Sequence, residues 1–119
     1  MIITIDEEDI ELYNFGNAHT DGDSVIYFTK SNIMHTGDAF VRYGYPYVDL
    51  NNGGSIKGLI NLLGKVEILA NDNTIIMPGH GKISNKKDVI QLKKSLSLLY
   101  DKTVIGLKNG MNYVEISKK

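Results

Sequence analysis

The sequence predicts one α/β domain of the α+β type over residues 1–119, in which a mixed sheet carries two main helices on one face. Short segments rich in β-branched and aromatic residues alternate with turn formers, which predicts strands joined by tight turns. Two longer segments repeat Leu and Val at three- and four-residue steps, which predicts amphipathic helices. A composition of 42% apolar and 23% charged residues is typical of a folded domain, not of a disordered chain.

Five strands are predicted from the short segments. The first two should form a hairpin across a four-residue acidic turn, and the next two a second hairpin across Lys30 and Ser31. The fifth is a short apolar segment that ends before Pro78. The predicted strands are residues 2–5, 10–15, 24–29, 32–36 and 74–77.

Two helices complete the prediction. The first follows Ser55 and the second follows Ser84, both residues that favour the N-cap position. Residues 40–54 form a long loop of the kind that often carries function, and residues 111–119 are left open between helix and coil. The apolar stripes are Leu59, Leu62, Leu63 and Val66 in the first helix, and Val89, Leu92, Leu96, Leu99, Val104 and Leu107 in the second.

A second layer from outside this chain is expected to cover the sheet. Residues 25–28 and 75–77 are apolar without alternation, as in strands buried on both faces. Two helices can cover only one face of a five-stranded sheet. A bare face of about 300 Å² would forgo on the order of 8 kcal/mol of hydrophobic stabilisation. We therefore expect a second sheet to pack there, supplied by a homodimer partner or by a separate half.

Charge and composition exclude several partners and sites. The formal net charge is -1, without the clusters of Lys and Arg that nucleic acids or anionic membranes require, so neither is an expected partner. The N-terminal segment lacks the basic flank and apolar length of a signal peptide, which predicts a cytoplasmic location. The chain contains no Cys, so a metal site would have to use His, Asp or Glu.

Three potential metal ligands lie where predicted strands end. His19 follows the second strand, Asp38 the fourth and His80 the fifth. Side chains launched from one edge of a sheet can converge, and such edges are common places for sites. Imidazole and carboxylate together suit Zn²⁺, Fe²⁺ or Mn²⁺, and the lack of sulfur favours a catalytic site over a closed structural one.

Four short motifs follow one another along the chain, at residues 18–23, 35–40, 53–55 and 76–81. Their order resembles the C-terminal half of a metallo-β-lactamase-superfamily hydrolase. The resemblance implies one αβ half of an αββα metallo-β-lactamase sandwich. It also implies zinc, two ions in the complete site, with His19 binding the first ion, Asp38 bridging both and His80 binding the second. It leaves the substrate open among lactams, thioesters, phosphoesters and lactones.

The chain departs from that family in one respect. The family carries an earlier His-x-His-x-Asp-His motif, whereas here no His precedes His19. The chain is therefore expected to be the C-terminal half of a metal-dependent hydrolase of a small-molecule substrate. It should be inactive alone, with weak or absent zinc binding, until a separate N-terminal half packs on its sheet. The alternative is a non-catalytic homodimerising module with a vestigial metal site.

The three candidate ligands also have a structural explanation. His19, Asp38 and His80 could be turn residues that hydrogen-bond the backbone. Asp21 and Asp23 are interpreted as turn residues in this way.

The remaining candidates divide between site and scaffold. Arg42, Tyr43, Tyr45 and Tyr47 in the long loop are candidates to line a substrate mouth, because tyrosines offer apolar area and a hydroxyl, unless the loop packs on its own aromatics. Of these, Tyr43 and Tyr45 are predicted to bind the substrate. His35 is interpreted as an ordinary strand residue. The glycines before Ser55 are interpreted as a helix entrance, with an anion site there as a third and weaker hypothesis.

Overall fold

A five-stranded sheet forms the framework of the molecule, whose residues 1–118 are described by a computed structural model. The strands lie in chain order across the sheet, antiparallel except for the last two, which are parallel. The mixed sheet predicted from the sequence is therefore confirmed. The strands are β1 (Ile2–Ile5), β2 (Glu8–Tyr13), β3 (Val25–Phe28), β4 (Ile33–His35) and β5 (Ile75–Met77).

The first hairpin is tighter than predicted. β2 begins at Glu8 and ends at Tyr13, so the turn consists of Asp6 and Glu7 alone. Both residues have positive φ, 48° and 66°, as the two central residues of a type I′ turn require. This turn matches the twist of the paired strands, which extends the ladder into the acidic segment. The predicted strand 10–15 was wrong by two residues at each end.

Two long helices pack together on one face of the sheet. They are α1 (Ile56–Leu69) and α2 (Lys86–Lys108), and a short α3 (Tyr113–Ser117) follows. Their buried side chains form one core with the inward residues of three strands, as the predicted stripes required. The core includes Val25, Met34, Ile76, Leu59, Leu62, Leu63, Val66, Val89 and Leu96.

α2 begins one residue later than predicted. Asn85 is the N-cap: its side chain accepts from the Asp88 N–H, and the Asp88 carboxylate accepts from the Asn85 N–H, which completes a capping box. Ser84 is instead held by two main-chain hydrogen bonds to Ile76, so it extends the sheet and cannot cap the helix.

Replacing Asn85 tests its assignment as the N-cap of α2. Asn85→Ala should lower the free energy of unfolding by about 1 kcal/mol, because it leaves helix N–H groups without an acceptor. Lys87→Ala, an exposed position in the first turn, should change stability by less than about 0.5 kcal/mol. Urea denaturation followed by circular dichroism measures both. Equal stability of the two variants would contradict the assignment of Asn85.

The C-terminal end of α2 extends beyond α1, because Lys57, near the start of α1, lies over the Tyr100 ring. The helices of 23 and 14 residues are about 35 Å and 21 Å long. Leu99 and Leu107, predicted as part of the buried stripe, are exposed. Gly106 is buried beneath Ile116 of α3, which partly covers the extension. None of the helices within residues 1–118 is both long and apolar enough to cross a bilayer.

The two faces of the sheet differ in burial. Val25, Met34 and Ile76 face the helices and are fully buried. On the opposite face of the sheet no residue is buried, although all of its residues except Glu8 and His35 are apolar. We call this surface the open face; by strand register it comprises Ile3, Ile5, Glu8, Ile10, Leu12, Ile26, Phe28, Ile33, His35, Ile75 and Met77.

Candidate metal centre

The parallel pair β4 and β5 brings two of the candidate ligands to one edge of the sheet. Met34 lies beside Ile76, so both strands end at the same edge. Asp38 follows β4 in a single 3₁₀ turn, Gly37–Ala39, and His80 follows β5 after Pro78 and Gly79. The Thr36 N–H donates to the Met77 carbonyl at 3.1 Å, which keeps the two chains together beyond the strands.

Gly79 allows the two loops to touch. Its N–H donates to the carbonyls of Gly37 at 2.9 Å and Phe40 at 3.0 Å. A Cβ on Gly79 would lie 2.3 Å from Asp38 Oδ1 and 2.7 Å from the Gly37 carbonyl. Glycine is therefore required here for space, because any side chain would push Asp38 away from His80.

Gly79→Ala tests this close approach. We expect unfolding to become easier by about 1–3 kcal/mol, the usual range for a side chain forced into a filled site. The His80 ring resonances should shift, since the loops can no longer meet. Gly22→Ala is the control, because a Cβ added there would lie 4.0 Å from the nearest atom outside the flanking residues. Unfolding and imidazole NMR measure the two effects, and unchanged His80 resonances would contradict the contact.

His19 lies in the loop between β2 and β3, which Asp23 holds in place. The Asp23 carboxylate accepts from the His19 N–H at 2.6 Å and from the N–H and hydroxyl of Thr20. The His19 carbonyl in turn accepts from the Asp49 N–H at 2.9 Å. These bonds fix the main chain of His19, and the interpretation of Asp23 as a turn residue is confirmed.

The three candidate ligands converge on Asp38. Nε2 of His80 lies 3.2 Å from Oδ1, and Nε2 of His19 lies 3.7 Å from Oδ2. Each oxygen of the carboxylate thus faces a different imidazole. The exposed fractions are 20% for His19, 43% for Asp38 and 61% for His80, so the cluster opens to solvent on the His80 side.

The hydrogen bonding of His19 leaves one nitrogen free. Nδ1 faces the main-chain carbonyl of Tyr47, which can only accept, so Nδ1 carries the hydrogen. In the neutral ring Nε2 then presents a lone pair to Asp38 Oδ2. Two acceptors in this arrangement repel each other unless a proton or a cation lies between them. An outer carbonyl on one imidazole nitrogen and a free second nitrogen is the usual arrangement of a metal-binding histidine.

Two tyrosines flank the cluster, but they are not the predicted pair. The Tyr43 ring lies 5.8 Å from the His80 ring, and the Tyr47 ring lies 6.4 Å from the His19 ring, measured between centroids. Tyr43, Tyr45 and Tyr47 are all exposed. The rings beside the candidate ligands are thus those of Tyr43 and Tyr47.

The other predicted residues have structural roles. The ring of His35 lies on the open face, and its Nδ1 accepts from the Gly37 N–H at 3.1 Å. Ser55 caps α1 by accepting from the Gly58 N–H at 3.1 Å, as predicted. A Cβ on Gly54 would lie 2.6 Å from the His19 carbonyl, so this glycine gives the candidate loop its room.

The cluster has the kinds of ligand that zinc binds, but too few of them. Two imidazole nitrogens and one carboxylate are ligands that Zn²⁺ accepts. Among residues 1–118, however, no group of three or more His, Asp or Glu side chains could hold a metal ion as it stands. Further ligands would have to come from outside these residues.

Comparisons with known proteins identify the fold. No protein-family profile and no curated protein matches the sequence. Among solved structures, a metallo-β-lactamase from Pontibacter korlensis matches 82% of this chain with a TM-score of 0.69 and 15% identity. A metallo-β-lactamase family protein from Thermus thermophilus matches 88% with a TM-score of 0.70 and 16% identity. The B3 metallo-β-lactamase BLEG-1 matches 80% with a TM-score of 0.65 and 20% identity.

The matches also define how much of that fold is present. The chain spans 45% of the Pontibacter protein, 36% of the Thermus protein and 44% of BLEG-1, less than half of each. The class of molecule is therefore a layered α+β half, with helices on one face of a mixed sheet. More particularly, it has part of the metallo-β-lactamase fold, as the motifs predicted.

Proposed function

We propose that the chain is the C-terminal half of a metal-dependent hydrolase of the metallo-β-lactamase superfamily. In this proposal His19 would hold one zinc ion, His80 would hold a second, and Asp38 would be a ligand shared by both. A complementary half supplies the remaining ligands and covers the open face. The order of the motifs along the chain supports the assignment to the C-terminal half.

One observation carries the proposal. The free Nε2 of His19 faces a carboxylate oxygen whose partner oxygen meets the second imidazole. With a neutral His19 ring, a cation between these atoms replaces the repulsion of two acceptors by attraction. Zinc in such a site supplies Lewis acidity and lowers the pKa of bound water. The protein's own residues orient the donors: Tyr47 through its carbonyl, and Gly79 through the close approach that sets Asp38.

The flanking tyrosines supply the proposed substrate contacts. Tyr43 lies beside His80 and Tyr47 beside His19, with both rings exposed. Rings at the two ends of the cluster offer apolar area to a small molecule that lies across it. Tyr45 keeps its place in the proposal only as a further ring of the same exposed loop.

Zinc titration of the ligand variants tests the metal site. His19→Gln, Asp38→Asn and His80→Gln should each weaken Zn²⁺ binding by at least about tenfold, since even groups behind a ligand contribute 10- to 100-fold. His35→Gln is the matched control, because its imidazole lies outside the cluster. Binding is followed through the histidine ring resonances. Equal affinity of all four variants would overturn the proposed ligands.

Reconstitution tests the hydrolase. The chain is mixed with a neighbouring-gene polypeptide that carries the His-x-His-x-Asp-His motif, and chromogenic lactam, thioester, phosphodiester and lactone probes are assayed. Zinc-dependent turnover that appears only in the mixture, and disappears with Asp38→Asn, supports the proposal.

The second candidate function is a non-catalytic module that homodimerises through the open face. The observation in its favour is the same exposed apolar surface, which a second copy could cover as well as a different half. A shallow depression on this side of the sheet is lined by Ile5, Ile10 and Phe28 together with Asp6, Glu8, Lys30 and Ser31. A symmetric dimer that takes up no zinc would favour the module over the enzyme.

A further inference from the structure

We propose that Arg42, tied to Asp88 at the start of α2, is a positioning residue for His80. The inference rests on the proposed function, because it assumes that His80 is a metal ligand. It goes further in naming two residues outside the cluster that hold this ligand in place.

The main chain of Arg42 lies directly against His80 and Gly81. The Arg42 N–H donates to the His80 carbonyl at 2.9 Å. Gly81 has a φ of 99°, and a Cβ there would lie 2.5 Å from the Arg42 Cβ. The segment that carries Arg42 therefore limits the positions that the His80 loop can adopt.

The side chain of Arg42 ties this segment to a rigid element. Its Nη1 lies 3.5 Å from Asp88 Oδ1, while Asp88 Oδ2 accepts from the Asn85 N–H at 3.1 Å. One carboxylate thus serves both the helix cap and the arginine. Because Asp88 is fixed by the capping box, Arg42 is anchored to the first turn of a 23-residue helix.

His80 needs such support more than His19 does. It lies between two glycines, which leave its main chain with many alternative conformations in the absence of tertiary contacts. Its side chain is 61% exposed, against 20% for His19, so packing restricts it little. Restricting the loop before a metal binds reduces the entropy lost on binding.

A second ion pair of α2 provides a matched control. Lys93 pairs with Glu67 of α1, with both side chains 28% exposed, against 27% for both Arg42 and Asp88. Lys93 holds the pKa of Glu67 below its ordinary value through their hydrogen bond. Both pairs tie α2 to a neighbouring segment, but only Arg42 contacts the His80 loop.

The experiment is a double-mutant cycle with two readouts. Arg42→Gln, Asp88→Asn, the double variant, Arg42→Lys and the control Lys93→Gln are compared with the unaltered chain. Zn²⁺ alone is titrated against the His80 ring resonances, and hydrogen exchange of the residue-42 amide reports the bond to the His80 carbonyl. Thermal unfolding of each variant records general loss of stability.

We expect Arg42→Gln and Asp88→Asn each to weaken Zn²⁺ binding about tenfold, the lower end for groups behind a metal ligand. The double variant should be no weaker than either single one, because both remove the same contact. Arg42→Lys should recover part of the affinity, and amide exchange should accelerate in Arg42→Gln but not in Lys93→Gln.

Two results separate this inference from the proposed function. If the unaltered chain binds no Zn²⁺ by itself, the metal site depends on the ligands of a complementary half, and amide exchange alone decides the positioning role. If Arg42→Gln changes neither Zn²⁺ affinity nor amide exchange relative to Lys93→Gln, the positioning role is overturned while the metal site stands.

Discussion

Gly58→Ala should destabilise the protein by about 3 kcal/mol, whereas Gly64→Ala, six residues later in the same helix, should stabilise it by about 1 kcal/mol. A Cβ on Gly58 would lie 1.5 Å from the Asn17 carbonyl oxygen. A Cβ on Gly64 would meet only the Lys93 side chain, at 3.9 Å. Helix propensity favours alanine equally at both sites, so the difference measures the close approach.

The clash at Gly58 should also reach the candidate site. Asn17 lies two residues before His19 in the chain. The residue between them, Ala18, accepts a hydrogen bond from the Ser55 N–H through its carbonyl. Displacing Asn17 should therefore move His19 away from Asp38. Urea denaturation gives the stability difference and NMR gives the His19 ring shift. Similar stability of Gly58→Ala and Gly64→Ala would show that the loop does not cross α1 at this point.

A charge introduced on the open face should strongly weaken association of the chain through that face. Ile75→Lys should weaken self-association of the chain by about a hundredfold, because an unpaired charge buried in an apolar interface costs several kcal/mol and each tenfold corresponds to ~1.4 kcal/mol. Ile75 is 40% exposed, so the folded chain can carry the lysine. Sedimentation equilibrium measures the change. This result is expected if the partner is a second copy; if the partner is another half, the same substitution should weaken binding of that half.

Ile68→Lys is the control for this experiment. Ile68 is 77% exposed on α1, on the helical side of the sheet. It carries the same substitution away from the open face and should leave association unchanged. A chain that stays monomeric without either substitution, and does not bind an apolar dye, would contradict an interface on the open face.

The incomplete ligand set and the open face have a common explanation under the proposed function. Asp38 and His80 lie just beyond the ends of β4 and β5, and His35 and Met77 are the last open-face residues of those strands. A partner sheet packed on the open face would end beside the cluster. The same partner could therefore supply both the missing apolar cover and the missing ligands.

Local sequence patterns predicted most of the elements but not all of their ends. All five strands and both long helices lie where the periodicity indicated. The misplaced start of α2 depends on a partner distant in the chain, because Ser84 pairs with Ile76. The conformational propensity of a residue does not depend on whether a distant segment of the chain packs against it.

The candidate site was predicted less completely than the fold. His19, Asp38 and His80 stood out because few residue types bind metals and because each follows a strand. The contact between Tyr47 and His19 was not predicted, since Tyr47 contributes a main-chain carbonyl that every residue possesses. No pattern marks such a contact, because it depends on the course of the loop.

The sequence by itself determined the order of strands and helices and the presence of ligand-type residues at strand ends. These features follow from periodicity and turn chemistry, which act over a few residues. Only the tertiary structure decided that β4 and β5 run parallel and side by side, which brings Asp38 and His80 to one edge. It also decided which apolar residues stay uncovered, because burial depends on contacts between segments far apart in the chain.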